Sequence, residues 1–216
     1  MRIDKNLTYM KDDVIIVDYG MGNLFSVRKL IERIGFSCKI SKLPQDIKNA
    51  RKIILPGVGH FGKAMSNLEE ANLIDELNEA VLERKTPVLG ICLGMQLMAS
   101  HSEEGDACGL KWFDAKVVKF EIKSKDTFKV PHMGWNTITH EKPGSYIFNK
   151  IEDDDEFYFV HSYHVTTEQP DDILTKTSYE YAFVSSIVKD NIVGFQFHPE
   201  KSHKAGEQLI KNFLSN

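Results

Sequence analysis

Apolar positions along the chain follow two different rhythms. Over the first hundred residues, short unbroken apolar runs alternate with stretches in which apolar residues recur every three or four positions. Val14-Ile15-Ile16-Val17 is a run of the first kind, as expected for a strand buried on both faces of a parallel sheet. A glycine loop, Tyr19-Gly20-Met21-Gly22-Asn23, follows it. Leu24, Val27, Leu30, Ile31 and Ile34 then mark one helix face, with Gly35 at the C-terminal cap position. The same reading predicts strands over 36–40 and 52–55, a long helix over 62–85, a strand over 87–91 and a helix over 93–100. Repeated strand–helix units of this length imply right-handed crossovers and a parallel sheet.

Beyond residue 115 the rhythm changes. Residues 116–120, 146–148, 157–160 and 183–188 are β-branched or aromatic runs with little helix between them. Lys189-Asp190-Asn191 ahead of Ile192-Val193-Gly194-Phe195 reads as a hairpin turn, and 204–214 as a terminal helix. The acidic run Glu152-Asp153-Asp154-Asp155-Glu156 reads as a solvated loop. No internal repeat or linker interrupts the chain. The expectation is one α/β domain over 14–216, an open and mostly parallel sheet with helices on both faces and antiparallel strands added in the C-terminal half. A polar leader, residues 1–13, precedes it and receives no role.

Composition narrows the function classes. With 216 residues, 42% hydrophobic and 27% charged, the chain can bury a core without disulfides or a structural metal. Lys and Arg number 27 against 31 Asp and Glu, so no basic excess exists to meet a nucleic-acid backbone. Cys38, Cys92 and Cys108 are too few, and odd in number, for a disulfide framework. The opening residues lack the apolar core of a signal peptide, and no apolar run reaches the ~18 residues of a membrane span. A cytoplasmic protein without nucleic-acid or membrane partners is expected.

Candidate chemistry centres on Gly90-Ile91-Cys92-Leu93-Gly94, which has the G-x-nucleophile-x-G form of a nucleophile elbow with cysteine in the serine position. An apolar strand precedes it and a helix follows. That context puts the sulfur at a helix N-terminus, where the dipole favours thiolate. The plainer reading of a cysteine on an apolar strand is structural burial, and it suits Cys38 and Cys108. A thiolate nucleophile needs a base, and His198 in Phe197-His198-Pro199-Glu200 ends an apolar strand, where active sites of open α/β sheets gather. Glu200, two residues on, projects to the same side and can orient the imidazole. Two rival readings fail. Gly20-Met21-Gly22 lacks the third glycine of a dinucleotide fingerprint, since Phe25 stands there. His161-Ser162-Tyr163-His164 is not read as a metal pair, because residues three apart on a strand face opposite ways and no zinc spacing is present. Neither a metal nor a cofactor is expected.

Together these segments resemble the class I, triad-type glutamine amidotransferases from Val14 onward. The segments are Asp18-Tyr19-Gly20-Met21-Gly22-Asn23-Leu24, Pro56-Gly57-Val58-Gly59-His60-Phe61-Gly62, Gly90 through Gln96, Pro131-His132-Met133-Gly134-Trp135-Asn136, Tyr158 through Tyr163 and Gly194 through Ser202. The nucleophile and His-Pro-Glu segments specify the wider family. His-Met-Gly-Trp-Asn and Lys201-Ser202 are most similar to the glutaminase subunit of imidazole glycerol phosphate synthase. The resemblance implies a flavodoxin-like fold and hydrolysis of L-glutamine, with the ammonia passed to a cyclase subunit in a heterodimer. It implies Cys92 as nucleophile, His198 as base and acid, Glu200 as its orienter, and the backbone N–H groups of Val58 and Leu93 as oxyanion donors. It further implies that Gly59, Gln96, His161, Ser162 and Tyr163 hold glutamine, and that Asn23, Trp135, Tyr158 and Lys201 meet the partner. For Trp135 the plainer reading is core packing, and for Gln96 an ordinary polar residue on a half-buried helix turn. One departure bears on the acceptor. After Gly109-Leu110, where the family runs through glycine and proline-glycine, this chain has Lys111-Trp112-Phe113-Asp114-Ala115. With Ser185-Ser186 and Lys189-Asp190-Asn191, that variant is similar to relatives that supply ammonia for surface-sugar amidation, which stands as the alternative pathway.

Overall fold

A computed structural model describes residues 14–216. The leader, residues 1–13, lies outside the described residues. The first half builds β1 (Val14–Val17), α1 (Leu24–Arg33), β2 (Lys39–Ser41), α2 (Pro44–Lys48), β3 (Lys52–Gly57) and α3 (Phe61–Glu70). These are followed by α4 (Ile74–Asn78), β4 (Val88–Cys92) and α5 (Leu93–Gln96). The second half supplies β5 (His101–Ser102), β6 (Ala107–Cys108), β7 (Ala115–Lys119), β8 (His132–Thr137) and β9 (Thr139–His140). The chain closes with β10 (Glu156–His161), β11 (Tyr163–Thr167), β12 (Ile173–Ser178), β13 (Ala182–Lys189), β14 (Ile192–Phe195) and α6 (His203–Ser215).

Strands β2, β1, β3, β4 and β14 lie side by side in that order, every neighbouring pair parallel. This is the 2-1-3-4-5 order of flavodoxin-like sheets. Antiparallel β13, β11 and β7 continue the sheet beyond β14, while β8 and β10 pair separately as a two-stranded antiparallel ribbon. Alternate strand residues feed opposite faces. Ile15, Val17, Ile53 and Leu55 pack with Phe61, Ala64, Leu68 and Leu77 from α3 and α4. Val14, Ile16, Ile54 and Leu89 pack with Val27, Leu30 and Ile31 from α1 and with Leu209, Ile210 and Phe213 from α6. The expected two-faced sheet with antiparallel additions is therefore what the chain forms. Among the described residues no helix is long and apolar enough to cross a membrane.

Four predicted elements differ. The helix over 62–85 is broken, because Asn72 takes φ 54° between α3 and α4, and a π-helical turn, Glu79–Glu83, completes the segment. The helix over 93–100 stops at Gln96, since the carbonyls of Leu97, Met98 and Ala99 accept bonds from the N–H groups of Leu110, Trp112 and Lys111. The strand over 36–40 begins only at Lys39. Phe36 is occupied in closing α1, its N–H bonded to Ile31 O while Gly35, at φ 93°, bonds to Glu32 O. Tyr146–Phe148 is a single 3₁₀ turn instead of a strand, because the N–H groups of Phe148 and Asn149 bond back to the carbonyls of Ser145 and Tyr146 and are not free for a neighbouring strand.

Candidate active site

Cys92 ends β4 and sits directly before α5, with φ 54° and ψ −110°, a backbone conformation that non-glycine residues rarely adopt. Close packing sustains the strain. A Cβ at position 94 would lie 1.7 Å from the carbonyl oxygen of Leu55, so α5 can approach β3 this closely only with glycine there. The turn makes Cys92 the residue before the Leu93 N–H, which, at the first position of a helix, has no partner within the helix itself.

His198 follows β14 and is held through its backbone. Its N–H donates to Tyr158 O at 2.9 Å, and its carbonyl accepts from Ser202 Oγ at 2.6 Å. Ser202 Oγ in turn accepts the Tyr158 N–H at 3.0 Å, closing a ring of three bonds. The His198 Nδ1–H donates to Glu200 Oε1 at 2.8 Å, with both side chains almost fully buried. Nε2 makes no hydrogen bond of ordinary geometry. Burial opposes a charge on this ring, but the negative Cys92 sulfur and the Glu200 carboxylate outweigh it and raise His198 to about 10. The geometry is that of a nucleophile, an acid–base and an orienter.

In front of the sulfur lies a cavity of about 300 Å³ lined by Val58, Gly59, Cys92, Leu93, Gln96, Glu104, Pro131 and residues 160–163. The expected glutamine-binding residues Gly59, Gln96, His161, Ser162 and Tyr163 thus share one wall system with the expected oxyanion residues Val58 and Leu93. His198 and Glu200 are not on that wall, and Glu200 instead borders a separate groove with Trp135 and Lys201. Val58 is exposed in the loop between β3 and α3, next to Gly59 at φ 119°. Both amide protons of Gln96 are committed, to Tyr163 O and to Gln196 Oε1, each at 2.9 Å, so only its Oε1 can serve a ligand.

Four residues near the site had no assigned role in the sequence. Gln196 Nε2 donates to Cys92 Sγ at 3.7 Å. Tyr19 donates to Pro56 O at 2.7 Å, bracing the loop before Val58, and its burial, with the charge of Cys92, pushes its phenol up so that it stays protonated. Ser202 ties His198 to β10 as described. Glu104 borders the cavity and holds the N–H of Phe61 with Oε2 at 2.8 Å. Only the motif positions of Tyr19, Gln196 and Ser202 hinted at them. Glu104 lies in Glu103-Glu104-Gly105-Asp106, outside every motif identified in the sequence.

The histidine pair 161/164 requires a correction. The two side chains do not face opposite ways, because the chain leaves the ribbon strand β10 and enters the main sheet as β11 across the single residue Ser162. Both rings therefore pack on Phe120, at 5.2 and 4.7 Å, and on Phe183. Their nitrogens face Tyr163 O and His132, and Val165 O and Tyr181 OH, respectively. Of the expected partner residues, Trp135, Tyr158 and Lys201 form one patch. Trp135 is 42% exposed, which excludes plain core packing; it stacks on His203 at 4.8 Å and meets Tyr158 edge-on at 5.8 Å. The Lys201 ammonium lies 5.3 Å from the Tyr158 ring centre. Asn23 is exposed and caps α1, accepting the Ser26 N–H.

Comparison with known proteins agrees with this geometry. The model of the family described as glutamine amidotransferase class-I matches residues 15–216. The chain is 51% identical over 201 residues, 93% of its length and 98% of the relative's, to imidazole glycerol phosphate synthase subunit HisH 2 of Methanococcus maripaludis. It is 45% identical, with the same coverage, to the protein of that name in Pseudomonas aeruginosa. In fold it is similar to PurLQS from Thermotoga maritima, with a TM-score of 0.71 at 17% identity over 95% of this chain and 99% of that one. It is also similar to the glutaminase domain of Trypanosoma brucei CTPS, with a TM-score of 0.66 at 15% identity over 94% of both chains.

Proposed function

Since this chain belongs to the class-I glutamine amidotransferase family, we propose that it hydrolyses L-glutamine through a thioester on Cys92 and passes the ammonia to a cyclase subunit, as the glutaminase half of an imidazole glycerol phosphate synthase. The observation that carries this reading is that Cys92, which lines a 300 Å³ cavity large enough for a free amino acid, interacts with a His198 ring whose Nδ1–H is held by Glu200.

Glutamine enters with its side-chain amide against the sulfur. Gln96 Oε1 and the Glu104 carboxylate accept from its ammonium group, and the backbone around Gly59 and Ser162 holds its carboxylate. The Cys92 thiolate attacks the amide carbon, and the oxygen takes the charge between the N–H groups of Leu93 and Val58. His198 protonates the departing nitrogen, the C–N bond breaks and ammonia leaves. A water molecule, losing its proton to His198, then attacks the thioester, and glutamate and the thiolate are released. Glu200 holds the ring throughout with Nδ1 as donor. On this reading the enzyme acts in the cytoplasm, and docking of the cyclase on Trp135, Tyr158 and Lys201 prevents ammonia from escaping to water, where protonation would end its nucleophilicity. The names of the similar proteins favour the histidine-pathway acceptor over sugar amidation.

The test is Cys92→Ala in the assembled complex. Glutamate release from glutamine is lost, while ammonium salt at alkaline pH still supports the cyclase reaction. Retained glutamate release, or loss of the ammonia-dependent reaction, contradicts the assignment.

A further inference from the structure

From His161 in the cavity wall a chain of two buried imidazoles leads inward to His132, and neither ring takes part in a step of the proposed chemistry. His161 Nδ1 lies 2.8 Å from Tyr163 O, and a carbonyl can only accept, so Nδ1 carries the proton. Burial depresses His161 well below the ordinary histidine range, which keeps the ring neutral and leaves Nε2 bare. His132 Nδ1 is 3.1 Å from that Nε2 and must therefore donate to it. His132 is also neutral, pulled down to about 4 by burial, and its own Nε2 faces the Asn136 amide at 3.4 Å. Every proton in the chain thus points the same way, from Asn136 through His132 and His161 to Tyr163 O. That oxygen also receives a Gln96 amide proton.

The bond it braces is unusual in position. Tyr163 O lies one residue past Ser162, where the chain crosses from the ribbon to the main sheet, and this crossing is a wall of the cavity. His132 stands directly opposite His161 in the ribbon register and stacks on Phe159 at 4.9 Å. Along β8, residues 132, 134 and 136 turn inward or sideways, while Met133 and Trp135 are exposed on the other face. A single strand therefore carries exposed apolar residues outside and the donor to His161 inside.

We infer that His132 is a positioning residue for glutamine binding: acting through His161, it fixes the Ser162 crossing that shapes the substrate cavity. The inference rests on the assignment of that cavity to glutamine. His132 touches neither the sulfur nor the substrate, so its loss loosens the cradle without removing a reacting group.

Two measurements test it, both on the chain assembled with its cyclase subunit. Long-range ¹H–¹⁵N spectra of the unmodified protein should show His132 and His161 both neutral and protonated on Nδ1. Either ring protonated on Nε2 overturns the chain whatever any variant does. In steady-state glutamate release, His132→Phe, which keeps an aromatic ring among Phe120, Phe159 and Phe183, should raise the KM for glutamine about 10-fold while kcat stays within about 3-fold. His132→Asn, whose amide can replace the lost donor, should restore most of the difference. An unchanged KM in His132→Phe, a loss confined to kcat, or no rescue by His132→Asn overturns the inference. The unmodified complex is the control that separates the two readings. If it releases no glutamate, the glutaminase assignment fails, and the spectra alone judge the chain.

Discussion

At the scale of single residues, the proposed chemistry requires one imidazole to serve both as acid and as base. His198 is raised to about 10 by the Cys92 sulfur and Glu200 against the opposing effect of burial. The folded-state value lies above the ~6.5 of an unfolded chain. The imidazolium is therefore fully stabilised below about 6.5, and that stabilisation fades as pH rises toward 10. The alkaline limb of kcat/KM should consequently fall near pH 10. In Glu200→Gln it should move toward neutrality, because a carboxylate that favoured the charged ring has gone. The same variant should retain about 100-fold more turnover than His198→Ala, since it weakens orientation and keeps the base. Rate profiles from pH 6 to 10.5 check both, and equal losses in the two variants would contradict the roles. The His198–Glu200 pair was legible from its spacing, but not for the reason of an extended chain. Pro199–Lys201 is a 3₁₀ turn that follows the extended His198, and it is this turn that carries Glu200 back to the His198 Nδ1–H. The partners that arrive from distant segments were not. Gln196 reaches Cys92 and Glu104 reaches the N-terminal end of α3 only through the tertiary fold, and no periodicity or motif spacing encodes such meetings.

At the scale of elements, β1, β3 and β4 were readable because burial on both faces leaves apolar runs, whereas β2 has only Ile40 between Lys39 and Ser41 and starts later than its pattern suggested. The errors have specific causes. The apolar run through Leu97, Met98 and Ala99 looks helical, but residues 110–112 claim its carbonyls, a long-range competition that local pattern cannot reveal. Strand β8 was not predicted because its inward positions are histidine, glycine and asparagine while methionine and tryptophan face out, the reverse of the usual alternation. Two predictions belong here. Gly94→Ala should cost about 1–3 kcal/mol, seen by calorimetry as a Tm lower by several degrees, because its Cβ has no room against Leu55 O. An unchanged Tm would mean that the elbow is not as tightly packed as described. The buried imidazoles of His132, His161 and His164 are all depressed by desolvation, so the unfolded chain takes up protons first. Stability should therefore fall as pH drops from about 6.5 toward 4. Urea midpoints at pH 7.5, 5.5 and 4.5 should decline in that order, and a flat series would contradict burial of neutral rings.

At the scale of the whole molecule, the site sits where the sheet, the ribbon and the exposed patch meet. The His198 N–H bonds directly to Tyr158 O, the Ser202 hydroxyl links the two residues a second time, and Tyr158 carries Lys201 and Trp135 against its ring. On the proposed reading, a partner docked on that patch presses on the segment that holds His198. The same proposal makes the exposed Val58–Gly59 loop a second point of control. An oxyanion donor turned away in the free chain costs roughly 2.7–4 kcal/mol, or about 100- to 1,000-fold in rate. A partner that binds the competent state better restores it. Lys201→Ala should accordingly reduce the stimulation by the partner more than the basal rate, because Lys201 adjoins the triad without a chemical step of its own. The most direct measurement is steady-state glutamate release from glutamine by the isolated chain, by the chain with its cyclase subunit, and by the complex with the cyclase's own substrate bound. The account predicts slow release alone and a rise of about 100-fold or more in the liganded complex. Release by the isolated chain already at the complex's rate, or no release in any of the three, would contradict it.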